Sequence, residues 1–335
     1  MTKLVAIGGG GGTSCILQGA QGYFHHLTAI VGVTDTGRST GIARELGDMP
    51  APGDIRNTIV NLAKEKGSTW AQVLNYRFHD EDSRLNGMAL GNLLIAAMNK
   101  VTGDFSGSVK MLQELIHTSA VILPVSAENV HLNAQLIDGS VRENELEVRE
   151  PGKPRIDRVY LSDEDAKATP EAINSVLEAD VIVIGPGSLF TSVLSTVIFR
   201  ELREALAATN AKIFYICNST TQPGQTEGFT QFDHIFELEK ALGSGVIEYV
   251  FLNDAEPGDY ELVEHFDRQG LTLMRVNEAE VEKMQLIGIT PVIGNFISES
   301  QPSHTEWNKL STIKFDGEKI ARRIVDVVKK GVYTR

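Results

Sequence analysis

The chain has 335 residues, 42% of them hydrophobic and 22% charged, the balance of a globular protein with a sizeable core. Its formal net charge of −13 repels nucleic acid and anionic membrane surfaces, so neither is an expected partner. Two cysteines, Cys15 and Cys217, make no CxxC or Cys/His pattern and read as small buried thiols in a reducing compartment.

Met1-Thr2-Lys3 leads straight into an apolar strand over 3–7, so no secretory leader is expected. No apolar run nears the ~20 residues of a membrane span, and the cytoplasm is the expected location. The strand ends on five glycines, Gly8, Gly9, Gly10, Gly11 and Gly12, before a helix over 13–22. Glycine backbone lets N–H groups approach a phosphate, and a helix start adds partial positive charge. Thr13 and Ser14 add hydroxyls at the first turn. A second strand over 27–33 ends on "TDTGRSTG", 34–41. Asp35 then stands where strand ends line a ligand crevice, fit for a ribose hydroxyl or a magnesium ion. Ser39 belongs to the same small, polar turn, which reads as mobile.

The run "PAPGDIRNTIVNLA" opens a helix over 54–65. Asp54 serves either as its cap or as a ligand contact. Arg56 either clamps a phosphate or pairs with Asp35 or Asp54, and Asn57 sits beside it in the first turn. Helices over 68–76, 90–101 and 107–117 follow, with Asn92 in the first turn of the second. A strand over 119–124 precedes "VHLNAQLIDGSVRENELEV", whose period of two and Asp138-Gly139 turn predict an antiparallel hairpin inserted at about 128–161.

A helix over 170–178 leads to "VIVIGPGSLFTSV". The strand 181–184 stops on Gly185, Pro186, Gly187 and Ser188, with Thr191 and Ser192 at the start of the next helical region, 197–208. The strand over 212–217 likewise ends on Asn218, Thr221 and Gln222. Thr226 and Asp233 then flank the start of a helix over 230–242. A strand over 247–252 follows. The part from about 255 is looser, and 276–314 reads as loops with few regular elements. Residues 316–330 form a closing helix with Ile320, Ile324, Val327 and Val328 on one face.

This alternation predicts an α/β fold, a mostly parallel sheet with helices on both faces. Two glycine loops about 180 residues apart in sequence are expected to face one ligand. Strand ends rich in hydroxyls and amides, with few charges, suit a diphosphate with ribose or sugar hydroxyls. There is no Gly-Lys-Ser/Thr P-loop, and the dinucleotide fingerprint lacks its third glycine. No Ser-His-Asp order, thiolate nucleophile or close Glu pair stands out.

These motifs resemble the 2-phospho-L-lactate transferase-like (CofD/YvcK-like) proteins, and most closely their bacterial gluconeogenesis-factor branch. The family's Gly-Gly-Gly-Thr-Gly stands here as Gly8 to Gly12, and its Asp-Asp-Gly-Gly-Ser-Ser-Gly turn as Asp35 to Gly41. Pro52 to Asn57 match Pro-Gly-Asp-Ile-Arg-Asn, and Leu90 to Leu93 match Leu-Gly-Asn-Leu. Ile184 to Ser188 with Thr191-Ser192, and Asn218 with Thr221 to Gly224, match the later blocks. Met88 replaces a histidine, Thr36 replaces the second aspartate, and Ser303-His304-Thr305-Glu306 stands where the family often has Arg-His-Asp-Pro. The resemblance implies a single Rossmann-like nucleotide-binding domain over 1–335, forming a homodimer. Its gluconeogenesis-factor branch implies a UDP-sugar-binding protein tied to carbon metabolism and cell shape or wall synthesis. The transferase branch implies a magnesium-dependent enzyme using a GDP-linked donor. With Thr36 in place of the second aspartate, Asp35 is left as the metal ligand, so any Mg2+ site is expected to be weak.

Overall fold

In the computed structural model, residues 3–65, 67–79, 85–257, 260–299 and 313–332 are described. The family-pattern departure at Ser303–Glu306 lies outside them. The first strand, β1 (Lys3–Gly8), is buried from Leu4 onward. A strand apolar on both sides belongs inside a parallel sheet. It pairs in parallel with β2 (His26–Val31) on one side, and β2 with β3 (Val121–Pro124) at that edge. On its other side β1 pairs with β7 (Val181–Ile184), followed by β8 (Lys212–Ile216), β9 (Tyr249–Asn253) and β10 (Thr290–Gly294). The order β10-β9-β8-β7-β1-β2-β3 makes seven parallel strands. The chain runs outward from β1 in one direction, then returns and runs outward in the other. The point of reversal lies between β1 and β7.

Helices cover both faces. Between β1 and β3 they are α1 (Gly10–Ala20), α2 (Arg38–Gly47), α3 (Gly53–Asn61), α4 (Thr69–Asn75), α5 (Leu90–Thr102) and α6 (Phe105–Ile116). The insertion follows as a separate sheet of β4 (Leu132–Leu136), β5 (Val141–Glu143) and β6 (Ile156–Leu161), in the order β5-β4-β6 and antiparallel throughout. Its short helix is α7 (Asn144–Val148). The second half carries α8 (Pro170–Leu177), a π-helical turn at Leu189–Leu194, α9 (Ser195–Val197), α10 (Arg200–Ala208) and α11 (Gln231–Leu242). Last come α12 (Tyr260–Arg268), α13 (Glu278–Leu286) and α14 (Gly317–Val332).

Four local expectations are corrected. The turn after β2 is short, because Gly37 starts α2, whose Ala43 is fully buried. Asp54 is not a cap: Pro52 takes the N-cap position of α3, and Asp54 lies in its first turn. The hairpin ends at Glu143, where Asn144 adopts a left-handed backbone and turns the alternating run into α7; a third strand then returns to β4. Within 276–299 the tail is more regular than loops, since α13 leads into β10, which extends the parallel sheet; the rest of the expected loop stretch, 300–312, lies outside the described residues.

The closing helix buries Ile320, Ala321 and Ile324 completely. Each fully buried Ile contributes about 1.5–3 kcal/mol. α14 lies against α1 at glycine distance: a Cβ on Gly317 would collide with the Cys15 carbonyl, and one on Gly19 with the Gly317 backbone. The Cys15 thiol donates to the Phe315 carbonyl at 3.3 Å across the same contact.

Candidate functional site

The two glycine segments meet at the point of strand reversal, the first not as the expected loop before a helix at 13–22, because α1 already begins at Gly10 and only Gly9 separates it from β1. Gly185 N–H donates to the Ile7 carbonyl at 2.9 Å, so the loop after β7 starts beside the loop after β1. A cavity of about 520 Å3 opens there. Its walls include Gly9 to Gly12 and Asp54 on one side, and Gly187, Ser188, Ser192, Asn218 and Gln222 on the other. Open parallel sheets bind ligands at this topological position.

The glycines of α1 do different things. Gly9 is the N-cap and has no side chain to cap the helix; the Asp54 carboxylate, from α3, takes the first-turn N–H of Gly10. Gly10 lies against α3, where a Cβ would stand 2.5 Å from the Asp54 carbonyl oxygen. Gly12 lies under the second loop, where a Cβ would collide with the Pro186 carbonyl. Gly11 is exposed, and a Cβ there would meet nothing within 4 Å. Packing explains Gly10 and Gly12; no protein contact asks for glycine at Gly11, which faces the cavity.

Asp54 is half-buried and lines the cavity. Burial, then the charge of Asp35, push its carboxyl up to about 6, against a Gly10 N–H bond and the charge of Arg56. Across the cavity Asn218 clamps one residue: its amide donates to the Gly187 carbonyl at 2.8 Å and accepts from the Gly187 N–H at 3.3 Å. The Gln222 amide donates to Ser188 Oγ at 2.9 Å, while its Oε1 is buried without a partner.

The other expected residues stand around this cavity rather than on it. Thr13 is buried and its hydroxyl donates back to the Gly9 carbonyl at 2.9 Å. Gly185 precedes the lining part of its loop, and Thr191 is half-buried on the π-helical turn. Arg56 is 2% exposed and donates to Asn92 Oδ1 at 3.3 Å and to Asn75 Oδ1. Asn92 in turn donates to Ser39 Oγ at 3.2 Å. This chain runs from the exposed Asn75 through the buried Arg56 and Asn92 to Ser39, and it braces α2. Asn57 is half-buried on α3. Thr221 accepts from the Thr272 N–H at 2.9 Å, and Thr226 accepts from the Gln222 N–H at 2.8 Å, so both shape the loop after β8. Asp233 and Thr230 form a capping box on α11.

Asp35 is half-buried next to this site, accepting the Gly37 N–H at 2.8 Å. Two partners of its turn were not foreseen. Glu145, on α7 of the inserted sheet, is 5% exposed and accepts the Thr36 N–H at 3.1 Å and Arg149 at 2.8 Å. Burial, then hydrogen bonding to Asp35, push its carboxyl up to about 7. Arg44, on α2, is 3% exposed and donates to the carbonyls of Thr34 and Asp35 at 3.3 Å each. It also donates to Asn129 Oδ1 at 2.7 Å and the Val130 carbonyl at 2.8 Å. Thus the insertion is tied to the Asp35 turn by one buried cation and one buried acid. Neither was legible: Arg44 needs α2, and Glu145 sits in a run whose alternation reads as strand.

Among the described residues, no three His, Cys, Asp or Glu side chains gather as a metal centre. Asp35 and Glu145 stand as a pair. Magnesium takes one or two carboxylates with phosphate oxygens and waters, so the pair fits that ion only as part of a ligand-completed shell.

The family model described as 2-phospho-L-lactate transferase CofD matches residues 4–297. The chain belongs to the CofD family. The gluconeogenesis factor of Bacillus subtilis is 33% identical over 98% of this chain and 98% of its own. That of Halalkalibacterium halodurans is 34% identical over 89% of this chain and 90% of its own. The crystal structure of protein BH3568 from Bacillus halodurans superposes with a TM-score of 0.87 at 30% identity, covering 97% of this chain and 99% of that one. The CofD-family match spans both glycine loops, the Asp35 turn, the insertion and the strands through β10. The Rossmann-like α/β architecture is therefore common to this chain and its relatives. Among the described residues no helix is long and apolar enough to cross a membrane.

Proposed function

We propose that this protein binds a nucleotide sugar, a UDP-sugar foremost, as a regulator acting in carbon metabolism and cell-wall synthesis. The diphosphate lies over the start of α1, between the two glycine loops. One observation carries the reading: Gly11 is open, faces the cavity at a helix N-terminus and has no packing reason to lack a side chain. The composition of the opposite wall supports it, because Ser188, Ser192 and Gln222 offer hydroxyl and amide groups to phosphate and sugar oxygens. The gluconeogenesis factors among its relatives support the metabolic setting.

Calorimetry with UDP-sugars, GDP and NAD, each with and without magnesium, tests this reading. Gly11→Ala places a methyl in the cavity without a clash in the protein. It should weaken the UDP-sugar at least tenfold, ~1.4 kcal/mol. The same change should stabilise the free protein by up to about 1 kcal/mol, since Ala is the better helix former. A variant that binds as wild type does removes the diphosphate from this place.

The Asp35–Glu145 pair favours a second reading, a magnesium-dependent transferase of the phospholactyl type using a GDP-linked donor. Magnesium would there neutralise phosphate charge, and these two carboxylates would help to hold it. A product assay with a deazaflavin acceptor separates the readings: turnover selects the transferase.

A further inference from the structure

We infer that the nucleobase end of the ligand lies along α1 against residues 313–315, with the Phe315 ring as its stacking surface. This rests on the diphosphate reading above and adds a direction to it. The cavity does not stop at the glycines. It continues past Cys15 and Gln18, and its far wall is Ile313, Lys314 and Phe315. Gly11, Cys15 and Gln18 are spaced four and three residues apart, so they share one face of α1. At the helical rise, Gly11 to Gln18 is roughly 10 Å, which is the reach of a ribose with its base beyond a diphosphate.

The far wall is held by backbone. Ser298 N–H donates to the Lys314 carbonyl at 2.8 Å, and Asp316 N–H donates to the Phe296 carbonyl at 2.8 Å. The Phe315 carbonyl takes the Cys15 thiol, and Phe315 bridges to Ile297. These bonds fix the main chain of Phe315, a lining residue of the cavity whose half-buried side chain also packs against the core. Burial pushes the Cys15 thiol up to about 11, so that position presents a neutral, polarisable surface to a ring.

The two ends of the cavity differ in chemistry, and that sets the polarity of the ligand. Phe315 is the aromatic residue among the described lining residues, and every base has a face that stacks on such a ring. The opposite end holds Asn218, Gln222, Ser188 and Ser192. These hydroxyl and amide side chains line that end, where the Gln222 amide also orients Ser188 Oγ at 2.9 Å, and they suit sugar hydroxyls. The base therefore goes to the α1–Phe315 end and the saccharide to the Gln222 end.

The test compares two probes, a UDP-sugar and inorganic pyrophosphate, on the full chain by calorimetry. Phe315→Ala should weaken the UDP-sugar at least tenfold and change pyrophosphate less than twofold. Phe315→Trp should restore UDP-sugar binding, and its fluorescence should respond to the UDP-sugar and not to pyrophosphate. An Ala variant with unchanged UDP-sugar affinity, or with equal losses for both probes, overturns the assignment of the base. So does a Trp variant that binds the UDP-sugar with no change in emission. If wild type binds neither probe, the diphosphate reading falls and this one with it. If wild type binds both and Phe315→Ala is indifferent, only the base assignment falls.

Discussion

Replacing Glu145 with Gln should stabilise the protein above neutral pH and leave it nearly unchanged near pH 5. Glu145 is 5% exposed beside Asp35, and burial with that neighbour raises its carboxyl from 4.5 to about 7. The folded protein therefore holds a proton that the unfolded chain releases. The stability this provides is fully present below about pH 4.5 and is lost as pH rises through about 7. At 1.36 kcal/mol per pH unit, the loss between those limits is roughly 3 kcal/mol as an upper figure. Gln carries no charge, still accepts the Thr36 N–H and can donate to Asp35. Urea midpoints from pH 5 to pH 8.5 for both proteins measure the difference. Asp54, raised to about 6, adds a slope of the same sign to both proteins and cancels. The gap should open between pH 6 and 8 in favour of the variant. A variant less stable than wild type at pH 8 would mean that the 2.8 Å ion pair with Arg149 outweighs the repulsion by Asp35, and the reasoning would fail.

Other changes test the walls of the site. Asn218→Ala removes the partner of both backbone polar groups of Gly187, a cost of about 1–3 kcal/mol; melting should register it, and calorimetry should show a tenfold or greater loss of UDP-sugar. Arg56→Lys removes a planar fork that bridges Asn92 and Asn75, so stability should fall by about 1–3 kcal/mol, with UDP-sugar affinity affected less than by Asn218→Ala. Removing metal with EDTA should change UDP-sugar affinity less than about tenfold, ~1.4 kcal/mol. Binding that collapses in EDTA and returns with magnesium would favour the transferase reading.

The strands were legible because burial on both faces leaves a plain signature, runs such as "LVAI" and "VIVI" that stop on glycine. The meeting of the two loops was legible for a different reason: both follow strands, and strand ends share one edge of a parallel sheet. What could not be read was the traffic between modules. Arg44 belongs to a helix hidden in polar residues, and its acceptors lie 85 and 86 residues away. Glu145 looks like a surface acid, and only the left-handed Asn144 turns it inward. The roles of Thr13, Thr226 and Asp233 were obscured because hydroxyls and carboxylates serve caps and turns as readily as ligands.

The close seating of α14 on α1 bears on how the protein is made. Cys15 and Phe315 are bonded across 300 residues of sequence, and β1 needs β7 as a neighbour before it lies inside a sheet. At about 5–20 residues per second of synthesis, roughly 15–60 s separate the emergence of the first helix from that of its final packing partner. Through that interval the glycine-rich start of α1 has no Phe315 wall beside it. On the proposed reading, a nascent chain should thus be unable to capture nucleotide until α14 leaves the ribosome, and truncation before α14 would disable the first-made part of the molecule.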